Sequence, residues 1–281
     1  MCNLSEVKAM LQNSSHLRLQ IVRSLGSSTV ALFAVFNSSG VDLLKLAGTG
    51  TLAVVDDFHY ILTAAHVWEE VLKSAAKMGI TLTDNIDHSC LIDVQSIIPT
   101  VIKPGSSAWN EWGPDLTLLR IPSALVGGIC AFQVFEDPKA PPKPLNAESL
   151  QCWVAMGTPK ELGTFTRNHA AVQISGDFVD PQSHSREDYD YFDFQVDTSR
   201  PGMPKDFGGF SGGGLWRVLV YCSPKTGKVD WASRLWGVVF WQFPIANDHR
   251  IIRAHGPKSI LSGLLRSKDT YEVLSRAIQI Q

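Results

Sequence analysis

From Thr29 onward the chain is written in short runs of β-branched and aromatic residues: TVALFAVF, then GTLAVV, then YILTAA, punctuated by NSSG, GTG and DD. Apolar runs of this length bounded by turn-forming residues predict consecutive strands and hairpins. The same pattern predicts strands over Ile97–Ile102, Leu116–Ile121, Cys152–Met156, Ala170–Ile174, Phe192–Val196, Leu215–Cys222 and Leu235–Trp241. Helical spacing occurs at the two ends. Val7, Met10 and Leu11 within Ser5–Leu11, behind a serine cap, predict a short leading helix, and Tyr271, Val273, Leu274 and Ile278 predict a terminal one over Thr270–Ile280. Glu69–Met78 is also compatible with a helix.

Asp137–Pro144 (DPKAPPKP) divides the strand-rich body, because proline fixes φ and cannot donate to a ladder. The expected organisation is an N-terminal extension (1–28), a first β unit (29–136), a linker (137–150) and a second β unit (151–281) that ends in a helix. Short strands at near-regular spacing place the protein in the all-β class, as a pair of antiparallel barrels or a sandwich.

Composition narrows the function classes. The 281 residues are 44% hydrophobic and 19% charged, which excludes disorder, and give ample length for a sizeable core. The net charge of −2, with 25 Lys and Arg against 27 Asp and Glu and no basic stripe, argues against nucleic acid as a partner. Runs such as Val30–Phe36 fall well short of the about 20 residues of a membrane-spanning helix, so no membrane association is expected. The N-terminus has no basic stretch followed by an apolar core, so no secretory signal is read. Five widely spaced cysteines without a CxxC suit reduced thiols in the cytoplasm, and no metal site or cofactor motif is readable. Cys2 has a minor alternative reading, as an N-terminal nucleophile with its own α-amine as base.

Three segments carry candidate chemistry: TAAHVW around His66, GPDLTLLRI around Asp115 and DFGGFSGGGLW around Ser211. Each has a bland reading: an ordinary histidine, an aspartate capping a Gly-Pro turn, and a flexible glycine-rich bend. The glycines have a more specific use. A nucleophile presented on a tight turn needs backbone N–H groups close to the developing oxyanion without obstruction from Cβ, and Gly209 and Ser211 are placed to supply those amides. Asp115 runs directly into the apolar strand LTLLRI, which suits a buried carboxylate; Asp93 is the other candidate, without such a neighbouring pattern.

Taken together, these segments resemble the trypsin/chymotrypsin superfamily of serine proteases, in which TAAH-like, D-[IL]-x-L-L and GxSGG segments follow in that order. GTGTLAVV (Gly48–Val55) looks like the strand leading to the histidine, and WGVVFW (Trp236–Trp241) like the strand flanking the substrate. The resemblance implies two packed six-stranded antiparallel β-barrels of the chymotrypsin type with a C-terminal helix, and an active site between them. It implies Ser211 as nucleophile, His66 as general base and Asp115 as the carboxylate that orients the histidine, with no cofactor. Phe210 precedes the serine where zymogen-type members carry aspartate, and the cysteines usual beside the histidine and serine are missing, with Val67 after His66. The chain therefore resembles bacterial or intracellular trypsin-like peptidases. Without a salt-bridge activation device, restraint is expected from narrow specificity, from an activating or inhibiting protein partner, or from a mobile DFGG loop ordered by substrate.

For substrate binding, Lys205 and Asp206 lie where the pocket base of the family falls, and Phe240, Trp241 and Gln242 are expected to line the groove along which a protein or peptide substrate adds as a strand. Asp206 in the pocket would favour a basic side chain, Lys205 the opposite, and Gln242 would narrow the entrance. Two other functions fit part of the sequence. Gly209–Gly213 satisfies the G-x-S-x-G elbow of α/β-hydrolase esterases, with Asp230 or Asp248 and His249 or His255 following, but strand after strand precedes Ser211 instead of alternating strands and helices. A catalytically silent, protease-like scaffold that binds peptides or partner proteins is the non-enzymatic alternative. His88, His169, His184, His249 and His255 have no spacing that selects a metal, and are read as structural or surface residues.

Overall fold

The computed structural model describes residues 3–38, 41–82, 89–103, 109–140, 148–165 and 170–267. Its frame is two seven-stranded antiparallel sheets. The first consists of β1 (Thr29–Ser38), β2 (Val41–Val55), β3 (Phe58–Thr63), β4 (Lys77–Thr81), β5 (Ser89–Asp93), β6 (Ile98–Ile102) and β7 (Leu116–Arg120), in the order β5-β4-β1-β2-β3-β7-β6. After β8 (Ser149–Gly157), the short pair β9 (Thr164–Phe165) and β10 (Ala170–Ala171) stands apart. The second sheet continues with β11 (Ser175–Val179), β12 (Gln182–Arg186), β13 (Tyr189–Asp197), β14 (Gly214–Cys222), β15 (Val229–Gln242) and β16 (His249–His255), in the order β11-β8-β14-β15-β16-β13-β12. Each sheet thus has seven strands where six were expected, and among the described residues neither closes by pairing its outer strands.

The sheets share a core. Ala53, Leu62, Leu116 and Leu118 of the first sheet are buried in one cluster with Val154, Met156, Trp216 and Val238 of the second. Helices seal this cluster at both ends of the chain. In α1 (Leu4–Asn13) and α2 (Ser15–Gly26), Val7, Leu17, Ile21 and Leu25 are buried in it, and each such side chain contributes about 1.5–3 kcal/mol. The N-terminal segment is therefore built into the core, not appended to it. The cap of α1 is Asn3, which forms a reciprocal capping box with Glu6, and not the expected serine. Residues 257–267 are helical and bury Ile260 and Leu264 in the same core; the terminal helix expected over Thr270–Ile280 lies outside the described residues.

Two other expectations change. Glu69–Met78 is not one helix: a π-helical turn (Val67–Val71) and a 3-10 turn (Leu72–Ser74) give way to β4, where Met78 and Ile80 are buried against the first sheet. Tertiary burial overrides weak helical spacing there. Cys90, Cys130 and Cys152 are free, but Cys222 is disulfide-bonded, so the expectation of five reduced thiols fails at that residue. The fold carries the end of β14 to the start of α1, with Cys222 Sγ 3.9 Å from the Asn3 carbonyl, a proximity invisible in sequence spacing. A disulfide removes the ground for assigning a reducing compartment. Among the described residues no helix is long and apolar enough to cross a membrane.

Candidate active site

Strand pairing brings His66 and Asp115 together although 49 residues separate them. Strands β3 and β7 pair antiparallel with Thr63 opposite Thr117, so the residues just after β3 and just before β7 emerge at the same end of the sheet. His66 Nδ1 lies 2.7 Å from Asp115 Oδ2, and the His66 backbone N–H donates to Asp115 Oδ1 at 3.0 Å. Both carboxylate oxygens therefore hold one residue, ring and backbone together. Asp115 is 1% exposed, whereas His66 faces a cleft of about 420 Å³ lined by Glu70, Trp109, Gly209, Ser211, Phe240, Trp241 and Gln242 as well. Burial pushes the His66 imidazole down; the hydrogen bond to Asp115 and the charges of Asp115 and Glu70 outweigh it and leave the pKa above its ordinary 6.5. Asp93, the alternative carboxylate, instead caps a 3-10 turn by accepting from the Gln95 N–H.

Ser211 sits in the loop between β13 and β14, docked on β2 of the other sheet. Every carbonyl from Gly208 to Gly213 accepts a hydrogen bond: from Lys160 N–H (2.7 Å), Thr49 Oγ1 (2.7 Å), Gly213 N–H (2.9 Å), Thr49 N–H (2.8 Å), Thr51 Oγ1 (3.0 Å) and Val239 N–H (2.8 Å), in chain order. A trans peptide points its N–H opposite its C=O, so pinning the Gly208 and Phe210 carbonyls fixes the directions of the Gly209 and Ser211 N–H groups. Among the described residues neither N–H has an acceptor, and both residues line the cleft. Such a pair of fixed, unpartnered donors suits an oxyanion. Ser211 is part-exposed, and its hydroxyl makes no hydrogen bond among the described residues. Gly48 packs between the two segments: a Cβ there would meet the Ser211 carbonyl oxygen and Val67 Cγ2, each at 2.9 Å, and Val67 follows His66.

Sequence reasoning missed two residues. His255, read as structural or surface, is fully buried and accepts the Asp115 backbone N–H on Nε2 at 3.0 Å, with its ring stacked on Phe240 at 4.3 Å. Its place at the end of the apolar strand IIRAH is the signal that burial was available. Trp109 forms one cleft wall, with its ring edge-on to His66 at 6.0 Å. The segment leading from Trp109 to Asp115 is clamped by Arg253, whose guanidinium donates to both Asp193 oxygens (2.6 and 2.7 Å) and to the Glu111 carbonyl (2.7 Å) and lies over the Trp112 ring.

Of the expected pocket residues, Phe240, Trp241 and Gln242 line the cleft, and Lys205 and Asp206 do not. Both are exposed, and their N–H groups donate to the Glu161 carboxylate. The Gln242 amide and the Gly208 N–H donate to Asp206 Oδ1 and hold that carboxyl below its ordinary range. Among the described residues no group of three or more His, Cys, Asp or Glu is arranged to hold a metal ion.

Burial depresses His255 to about 4, against the pull of Asp115 and Asp190, and the neutral ring is the form whose Nε2 accepts the Asp115 N–H. An imidazole that resists protonation when folded favours unfolding in acid: its contribution is complete above pH 6.5 and is lost as pH falls from 6.5 towards 4, by about 3 kcal/mol. His255→Gln keeps an acceptor but does not titrate. Urea unfolding of this variant is expected to show a shallower loss of stability between pH 6.5 and 4 than the wild type; identical slopes would refute the assignment.

No protein-family model matches the chain, and a search of curated proteins gives no match.

Proposed function

We propose that the protein is a serine endopeptidase that hydrolyses peptide bonds through an acyl-enzyme. The observation that carries this reading is the buried Asp115 carboxylate holding His66 by ring and backbone, in a cleft that Ser211 shares. Ser211 Oγ attacks the scissile carbonyl carbon. His66 Nε2 takes the hydroxyl proton, and Asp115 keeps the Nδ1–H tautomer and stabilises the imidazolium. The oxyanion is received by the N–H groups of Gly209 and Ser211. On collapse, the C–N bond breaks and the proton passes from His66 to the leaving amine; water then repeats the sequence to release the acid. In this reading the two sheets are the two barrels of a chymotrypsin-type fold.

The substrate is a protein or peptide in extended form. Past Val239 the edge of β15 towards the cleft is no longer paired with β14, whose register ends at Gly214 opposite Val238. Phe240–Gln242 thus present a strand edge beside Ser211, the geometry of strand addition. An activating or inhibiting protein partner is compatible with this arrangement.

Peptide amide and ester substrates of one sequence test the reading. We expect both to be hydrolysed, and Ser211→Ala to lower kcat on the order of 10⁴-fold or more. Hydrolysis of esters alone would replace the protease by an esterase, and hydrolysis of neither would leave a peptide-binding scaffold.

A further inference from the structure

We propose that the cleft selects peptides with a small uncharged side chain, glycine, alanine or serine, on the residue whose carbonyl Ser211 attacks, and that Gln242 enforces this selection. The inference rests on the endopeptidase reading above and adds the substrate class.

Gln242 stands at the end of β15 and lines the cleft with Ser211, Gly208 and Gly209. Its side chain bridges to the loop that leads into the nucleophile. Oε1 accepts the Phe207 N–H at 3.0 Å, and Nε2 donates to Asp206 Oδ1 at 2.8 Å. Asp206 Oδ1 also accepts the Gly208 N–H at 3.0 Å, so the bridge closes on the segment that leads into Gly209–Ser211. Both ends of the amide are therefore committed, and the side chain ties the end of β15 to residues 206 and 207, just before the cleft-lining Gly208 and Gly209.

Behind the bridge there is no room for a side chain. Phe207 and Phe210 meet edge to face at 5.5 Å, each 5% exposed, and pack with Phe194, Val239 and Ile252. The void beside Phe194, Phe207, Phe210 and Ile252 is about 10 Å³, the size of one water at most. A large side chain entering from the cleft needs the space that the Gln242 amide occupies; taking it breaks the bridge and strands the buried Phe207 N–H, because the packed rings behind leave no other volume. Charge selection at this wall is also absent, because Lys205 and Asp206 lie outside the cleft lining and Asp206 is engaged by Gln242 and Gly208.

The test uses peptidyl phosphonates of one sequence with alanine, phenylalanine or lysine at the attacked position, together with a small alkyl fluorophosphonate. Labelling of Ser211 is followed by intact mass in the wild type and in Gln242→Gly. The wild type is expected to react with the alanine probe at least about 100-fold faster than with either larger probe, near the upper range for discrimination by pocket size. Gln242→Gly is expected to shrink that ratio to within about tenfold. Fast wild-type labelling by the phenylalanine or lysine probe would overturn the proposal, as would an unchanged ratio in a folded Gln242→Gly. Should that variant not fold, the wild-type ratio alone decides. If the alkyl fluorophosphonate also fails to label Ser211, the serine nucleophile itself is refuted, and the size selection with it. Labelling by the small reagent with the wrong size order refutes only the selection.

Discussion

Asp115→Asn is expected to lower kcat by about 10⁴-fold while leaving a folded protein, by comparison with the same change in a well-studied triad. An asparagine in this place offers one carbonyl oxygen and one NH₂ where His66 needs two acceptors, for its backbone N–H and for Nδ1–H. With the NH₂ facing the ring, Nδ1 becomes the acceptor, the proton moves to Nε2, and no lone pair remains to take the Ser211 proton. The pH profile adds a readout that a purely structural role would not move. Only neutral His66 acts as base, so kcat/KM of the wild type falls as pH drops through a pKa lying above 6.5. Asp115 supplies the hydrogen bond and most of the charge that raise this pKa, so the acid limb of the variant shifts to lower pH. The same raised pKa stabilises the folded wild type: the contribution is complete below 6.5 and is lost as pH rises through the folded value. A variant within tenfold of the wild type, with an unmoved acid limb, would refute the role of Asp115.

Gly212→Ala is expected to be the most damaging single-methyl change at the described glycines. Gly212 has φ +94°, in the region L side chains rarely adopt, and an added Cβ would fall onto the Thr49 carbonyl oxygen and crowd Thr63 Oγ1. The backbone cannot back away, because Thr49 N–H holds the Ser211 carbonyl, Thr51 Oγ1 holds that of Gly212, and the Gly212 N–H donates to the Val239 carbonyl at 2.7 Å. Left-handed strain of about 1–2 kcal/mol and overpacking of about 1–3 kcal/mol combine to about 3 kcal/mol or more. At roughly 2–4 °C per kcal/mol for chains of this order of size, Tm should fall by about 10 °C. Gly202→Ala is the control: φ is +81°, but nothing lies within 4 Å of its Cβ, so only the strain applies. Equal melting of the two variants would show that the nucleophile loop is not pinned to β2 as described.

Much of this site was legible in the chain because its parts are local. TAAH ends a strand, GPDL begins one, and the glycines around Ser211 mark a bend where the backbone approaches Thr49 too closely for a Cβ. The predicted strands at Leu116 and Leu215 match β7 and β14 closely, and that at Leu235 the second half of β15, because apolar and β-branched residues there face the shared core. What depends on distant pairing was not legible. β12 is polar and exposed along its whole length and is a strand only because β13 supplies its hydrogen bonds. β10 covers only two residues of the expected Ala170–Ile174 strand. α2 was overlooked although Leu17, Ile21 and Leu25 recur every fourth residue, because charged and polar residues stand between them. His255 meets Asp115 from 140 residues away, and Gln242 meets Asp206 across 36. Side chains that touch only after distant strands and loops have packed leave no spacing to read.

A hydroxyl made reactive by its neighbour is the feature on which the functional reading depends, and covalent capture tests it most directly. Wild-type protein treated with an alkyl fluorophosphonate should gain one adduct mass, mapped to Ser211. Under the same conditions His66→Ala, folded by circular dichroism, should gain none. Labelling at another residue, or equal labelling of Ser211 with and without the imidazole, would contradict the account.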